Sequence, residues 1–138
     1  MDQVIVREKL ESLRRCIARV EEKRPENAAA LEADIDAQDI IVLNLTRAVQ
    51  MCVDIGAHVL SDSNQAAPQS MAGVFEALER IGVISADTAL ALRKAVGFRN
   101  IAVHSYDAIN WVIVFSISDR HLADFKAFAK DVADYCLD

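Results

Sequence analysis

The stretch Gly97-Phe98-Arg99-Asn100-Ile101-Ala102-Val103-His104-Ser105-Tyr106 places a strong base, an imidazole and a phenol inside an otherwise apolar run. It closes a segment over residues 86–104 that is apolar on most sides, the pattern of a central, buried helix. Polar groups at such positions must find partners or lose solvation without return, so this Arg-x4-His-x-Tyr cluster is where chemistry is expected. On an ideal helix Arg93, Gly97, Asn100 and His104 share one face by their 4-3-4 spacing, and Gly97 leaves room on it. Arg99 and His104 are five apart, about 140° around the axis, so one straight helix does not aim both at a single phosphate. Three arrangements would bring them together. The helix loosens near His104, the long arginine swings round, or the same segment from two subunits meets across a twofold axis.

Outward from this stretch the chain reads as helices. Val6, Leu10, Leu13, Ile17 and Val20 follow helical spacing in an amphipathic first helix over residues 2–24, which Pro25 ends. A long second helix over about residues 30–60 carries an apolar seam through Ile41, Leu45, Ala48, Cys52, Ile55 and Val59. A second row on it, Asn44, Arg47, Met51, Asp54 and His58, puts four polar side chains on one stripe. The plainer reading of that row is a solvated or subunit-facing edge with Asp54 and His58 as an i,i+4 pair. The functional reading makes it a second layer or floor for the site. Residues 61–70, with Pro68, form a loop; residues 71–81 resume helical spacing, with Gly82 as C-cap residue and Ser85 as the next N-cap. The run from Trp111 through Ile117 fits strand or helix, and with no second strand to pair it reads as a short helix. Ser118-Asp119 then cap a last helix with the seam Leu122, Phe125, Phe128, Ala129 and Val132.

Composition agrees with an all-α fold. In 138 residues, 53% of them apolar, there are 4 Gly and 2 Pro, too few for the turn every ~8–12 residues that a sandwich or barrel needs. The length suits one domain, residues 1–138, able to bury its own core. No apolar run reaches the ~18 residues of a membrane span, and Met1-Asp2-Gln3 lacks the basic and apolar regions of a signal peptide. A soluble, cytoplasmic protein is expected. Cys16, Cys52 and Cys136 are too far apart for a zinc site and odd in number, which reads as buried free thiols. The net charge of −6 opposes a broad grip on nucleic acid, so an RNA site must be small, local or shared between subunits.

The polar cluster suits RNA cleavage. An imidazole, ordinarily titrating at about 6.5, takes a proton from a ribose 2′-hydroxyl or gives one to a departing 5′-oxygen, while a guanidinium holds charge building on the phosphate. No metal is required, and the sequence has no His-Glu-x-x-His, two-metal carboxylate cluster, Walker loop or Gly-x-Ser-x-Gly. The plainer alternative pairs Arg99 with a carboxylate such as Asp107 and makes His104 a hydrogen-bonded core histidine. On these residues alone that alternative is favoured, because isolated Arg-x4-His spacings are common. His121 reads as exposed, Met51 and Met71 as core filler, and Trp111 as a packing anchor.

The motif Arg99-Asn100-Ile101-Ala102-Val103-His104-Ser105-Tyr106 resembles the signature of the HEPN-domain, HepT-like toxin family. The resemblance extends over Asn-Leu-Thr-Arg-Ala and Asp-Ile-Gly-Ala-His of the long helix, the Pro68-Gln69-Ser70 loop, and Phe75-Glu-Ala-Leu-Glu-Arg-Ile-Gly-Val-Ile84. It implies an up-and-down bundle of four to five helices that forms a homodimer with the two motifs apposed in a cleft. It implies a metal-independent ribonuclease, with Arg99 and His104 as catalytic pair, Asn100 in support, and 2′,3′-cyclic phosphate and 5′-hydroxyl products. The substrate would be mRNA or tRNA, with no cofactor and neither membrane nor DNA as partner. The implied partner is an MntA-like nucleotidyltransferase antitoxin that transfers AMP to Tyr106. From helix spacing, Asn44, Arg47, Asp54 and His58 on their stripe and Arg93 on the face of Asn100 and His104 are candidates for a second layer or the dimer face. A reading of another class is a non-catalytic helical partner that binds and orients a nucleotidyltransferase.

Overall fold

The computed structural model describes residues 2–137; Met1, where the N-terminal reading begins, and Asp138, the end of the 1–138 domain, lie outside them. The described residues form α1 (Gln3–Lys23), α2 (Ala28–Glu32), α3 (Ile35–Leu60), α4 (Met71–Arg80), α5 (Ala86–His104), α6 (Trp111–Ser116) and α7 (Leu122–Cys136). No strand occurs among them. Local side chains start most of these helices. Asp2, Asn27, Asp34, Ser70, Ser85 and Asn110 each accept a hydrogen bond from a first-turn backbone N–H, satisfying donors that have no partner inside the helix.

The long helix expected over residues 30–60 is two helices. Leu31 is buried and belongs to α2, after which the chain turns at Ala33 and Asp34 caps α3 by accepting from Ala37 N at 3.0 Å. The Gln38 amide bridges the joint, donating to the carbonyls of Leu31 and Glu32. Helical spacing runs through the joint unbroken, but a capping aspartate competes locally for the backbone and restarts the helix.

α3 is the axis of the core: Ile41, Leu45, Ala48, Cys52, Ile55 and Val59 are all buried, and α1, α4, α5 and α7 lie against it. By length and mean hydropathy of 1.4 it is apolar enough to cross a membrane, yet these residues are covered by the bundle's own helices. Phe75 of α4 meets Phe128 of α7 edge-on, ring centres 5.9 Å apart, which ties the two sides of the core. Gly56 marks the closest approach of α3 to α4, where a Cβ would meet Val74 Cγ1 and lie 2.9 Å from Leu78 Cδ1. α4 ends as expected at Gly82, φ +81°, with Val83 N donating to Leu78 O and Gly82 N to Glu79 O.

Two expectations are corrected here. Ser118-Asp119 do not cap the last helix, because α6 runs into α7 through one turn of π-helix, Ile117–His121. Ser118 is fully buried, its hydroxyl donates to Phe115 O at 2.7 Å, and its carbonyl accepts from Arg24 Nη1 at 3.1 Å. An arginine from the end of α1 thus takes up a carbonyl that the widened turn presents. The second correction concerns α5, which is not enclosed. Ala89, Leu92, Val96 and Ala102 face the core, but Leu90, Ile101 and Val103 are 45–52% exposed. Its all-round apolar pattern serves two faces, and this chain covers one of them.

Candidate active site

α5 is regular through His104: Ser105 N still donates to Ile101 O at 2.8 Å, and only at Ser105 (φ −146°, ψ 54°) does the chain leave the helix for a single 3-10 turn, Tyr106–Ala108. The helix therefore does not loosen near His104. The ~140° between Arg99 and His104 stands as helix geometry requires. Arg99 is half-buried and its Nη1 leans on Asn100 Oδ1 at 3.4 Å, whereas His104 and Asn100 are exposed. Among the described residues Arg99 has no carboxylate partner and His104 no hydrogen-bond partner, so neither the Asp107 pairing nor the core histidine of the plainer alternative is formed. A guanidinium and an imidazole are left with unspent hydrogen-bonding capacity at the surface.

Beside them runs an open apolar groove of about 690 Å³ between α5 and the α6–α7 limb, lined by Leu90, Phe98, Ile101, Ile113 and Ile117 among others. Gly97 opens onto it, and a Cβ there would meet nothing within 4 Å. Mid-helix glycine costs about 1 kcal/mol relative to alanine, and packing within one chain gives no reason for it.

Tyr106 sits directly after the helix, 43% exposed. Its hydroxyl donates to Asp39 Oδ1 at 3.0 Å across 67 positions of sequence, and its ring meets Trp111 edge-on with centres 6.2 Å apart. Partial burial, and then the bonded Asp39 carboxylate, raise the phenol above its ordinary pKa. Trp111 is half-buried against the core, the anchor role expected of it. Asp39 is the residue that sequence reasoning passed over. It is one of several acids near the start of α3, and nothing within its own helix separates it from Asp36.

From Asn44 to Asp54 the polar stripe of α3 faces α1 instead of the motif. Asn44 is buried and bonds Ile40 O at 2.8 Å; with Arg47 and Met51 it lines a hollow of about 640 Å³ shared with Arg15, Cys16 and Arg19. Asp54 accepts from Gln50 at 2.9 Å and lies 4.0 Å from Lys9, so the Asp54–His58 pair is not made, and His58 Nε2 is buried without a partner. Arg93 reaches Glu76 of α4 at 3.5 Å. His121 is exposed with Nδ1 3.1 Å from Asp124. Cys52 is buried and Cys16 and Cys136 partly so, and desolvation raises all three thiols. No three His, Cys, Asp or Glu side chains gather as metal ligands among the described residues.

Comparison with known proteins places the chain in a family. The family model described as ribonuclease HepT-like matches residues 13–132. An mRNA nuclease HepT from Shewanella oneidensis is 34% identical over 128 residues, 93% of this chain and 95% of that one. A solved tri-AMPylated Shewanella oneidensis HEPN toxin in complex with MNT antitoxin superposes with a TM-score of 0.90 at 32% identity, covering 97% of this chain and 99% of the other. A toxin–antitoxin crystal structure with AMP-PNP gives 0.89 at 32% identity, covering 94% and 98%. With the motif helix, the core and the full extent of the fold all matched, this chain belongs to the HepT-like ribonuclease family.

Proposed function

We propose that this chain is a single-domain, cytoplasmic RNA endonuclease, the toxin of a toxin–antitoxin pair, working as a homodimer without a metal ion. The observation that carries the reading is an exposed imidazole and an unpaired guanidinium on one unbroken helix, next to an apolar face that the chain leaves bare. At a composite site His104 takes the 2′-hydroxyl proton, the 2′-oxygen attacks the adjacent phosphorus, and the 5′-oxygen leaves with a proton returned to it. The products are a 2′,3′-cyclic phosphate and a 5′-hydroxyl. Arg99 neutralises the charge growing on the phosphate oxygens, and Asn100 holds the guanidinium. The dimer is supported by the ~140° separation, by the groove, and by the open face at Gly97, which lets a second backbone approach closely.

The partner in this reading is a nucleotidyltransferase antitoxin that places AMP on Tyr106. Added nucleotide there would fill the cleft and repel RNA by like charge. The test is cleavage of mRNA or tRNA by the free protein in EDTA, with mass analysis of the new ends. Cyclic phosphate ends that vanish in His104→Ala are expected; cleavage by His104→Ala at the wild-type rate removes the assignment.

A further inference from the structure

Tyr106 and Asp39 come from different elements and are brought together by the fold alone. The phenol is the donor in their bond, so the lone pairs of its oxygen face away from Asp39 while its proton points at a carboxylate oxygen 3.0 Å away. The ring meets Trp111 edge-on, and the residue is 43% exposed at the surface. The charge that acts on the phenol is that of Asp39. An aromatic alcohol raised above its ordinary pKa is a poor nucleophile at neutral pH until its proton is taken, and the group placed to take it belongs to this chain.

We propose that Asp39 is the general base for nucleotidyl transfer to Tyr106, so that the chain supplies the proton acceptor for its own modification. This rests on the reading of Tyr106 as AMP acceptor given above. In the step, the phenolic oxygen forms a bond to the α-phosphorus of ATP bound by the nucleotidyltransferase. The bond from that phosphorus to the bridging oxygen breaks, pyrophosphate departs with the electron pair, and the phenolic proton passes to the Asp39 carboxylate. The proton acceptor lies within hydrogen-bond reach before the partner arrives, the geometry that general-base catalysis requires. Further AMP units would be added to a ribose hydroxyl remote from Asp39, so its effect is confined to the first transfer.

The experiment follows AMP incorporation from ATP by mass spectrometry in the full chain mixed with its nucleotidyltransferase, comparing wild type, Asp39→Asn and Asp39→Glu. Asp39 is exposed, and folding of the variants is checked by circular dichroism. First transfer is expected to fall about 100-fold in Asp39→Asn, the lower range of general-base effects, with partial recovery in Asp39→Glu. The ratio of Asp39→Asn to wild-type rates is expected to rise toward one as pH approaches ~10, where solvent ionises the phenol unaided. Taking the ratio cancels groups of the partner enzyme, and a merely structural contact would not give this pH trend. Equal rates for Asp39→Asn and wild type overturn the role of Asp39 while leaving Tyr106 as acceptor. A wild-type chain that takes no AMP, or takes it elsewhere than Tyr106, overturns both.

Discussion

Gly56→Ala measures how closely α3 and α4 meet. The added Cβ lies 2.9 Å from Leu78 Cδ1 and closer still to Val74 Cγ1, against an optimum of about 3.5–4.0 Å between carbons. Both neighbours are buried, and Val74 is a β-branched residue on a helix with little rotamer freedom, so α4 must move or Val74 must leave its preferred rotamer. Overpacking of this kind costs about 1–3 kcal/mol. Replacing mid-helix glycine returns up to about 1 kcal/mol of helix propensity. With two clashing groups the loss outweighs the gain, and the variant should be about 1–2 kcal/mol less stable. Urea unfolding followed by circular dichroism at matched protein concentration should show the midpoint lower by about 0.5–1 M with an unchanged slope near 2 kcal/mol per M. A midpoint equal to or above wild type would refute the close contact of the two helices at Gly56.

Three further outcomes follow from single contacts. Arg24→Ala leaves the Ser118 carbonyl of the π-turn without its side-chain donor and should destabilise by about 1 kcal/mol, reduced from the fully buried case because Arg24 is partly exposed; an unchanged urea midpoint would contradict it. Leu90→Asp puts a charge on the bare face of α5, 45% exposed in the single chain, and should yield a monomer by sedimentation with RNA cleavage lost; an active dimer would place the interface elsewhere. The Tyr106 phenol should titrate above about 10 by phenolate absorbance in a Tyr135→Phe background, and lower in Asp39→Asn. By sign, a raised phenol supports the fold fully below its unfolded pKa and loses that support as pH climbs through the folded value. Any stabilisation from the Asp39 bond is therefore present at neutral pH and disappears on the alkaline side.

The parts of this fold that were legible in sequence are those whose causes are local. Ser85 starts a helix by accepting a first-turn N–H at its hydroxyl, Gly82 ends one through its positive φ, and the seam of α3 is a simple period of three and four. The π-turn at Ile117–His121 was not legible, since Ser118-Asp119 looks like a cap until Arg24, 94 residues away, takes up the Ser118 carbonyl. The division at Asp34 was hidden because the apolar period continues across it. In the site, the motif stood out as polar residues in an apolar run, and five-residue spacing already posed the question of how Arg99 and His104 meet. Asp39 had no such mark. Its role is fixed by a contact across 67 positions, and from α3 alone it is one more acid on a wet face. The stripe from Asn44 to Asp54 shows the opposite case, a regular pattern that the fold turns toward α1.

Complementation between Arg99→Ala and His104→Ala subunits tests the composite site most directly. Each variant alone should be inactive in RNA cleavage. After unfolding, mixing in equal amounts and refolding, about half of the proposed dimers would carry one of each chain, and such a dimer would hold one site in which Arg99 of one subunit faces His104 of the other, both intact. The mixture should regain roughly a quarter of the wild-type activity. No recovery, with mixed dimers shown to have formed, would contradict the composite site and place Arg99 and His104 of a single chain on the same phosphate.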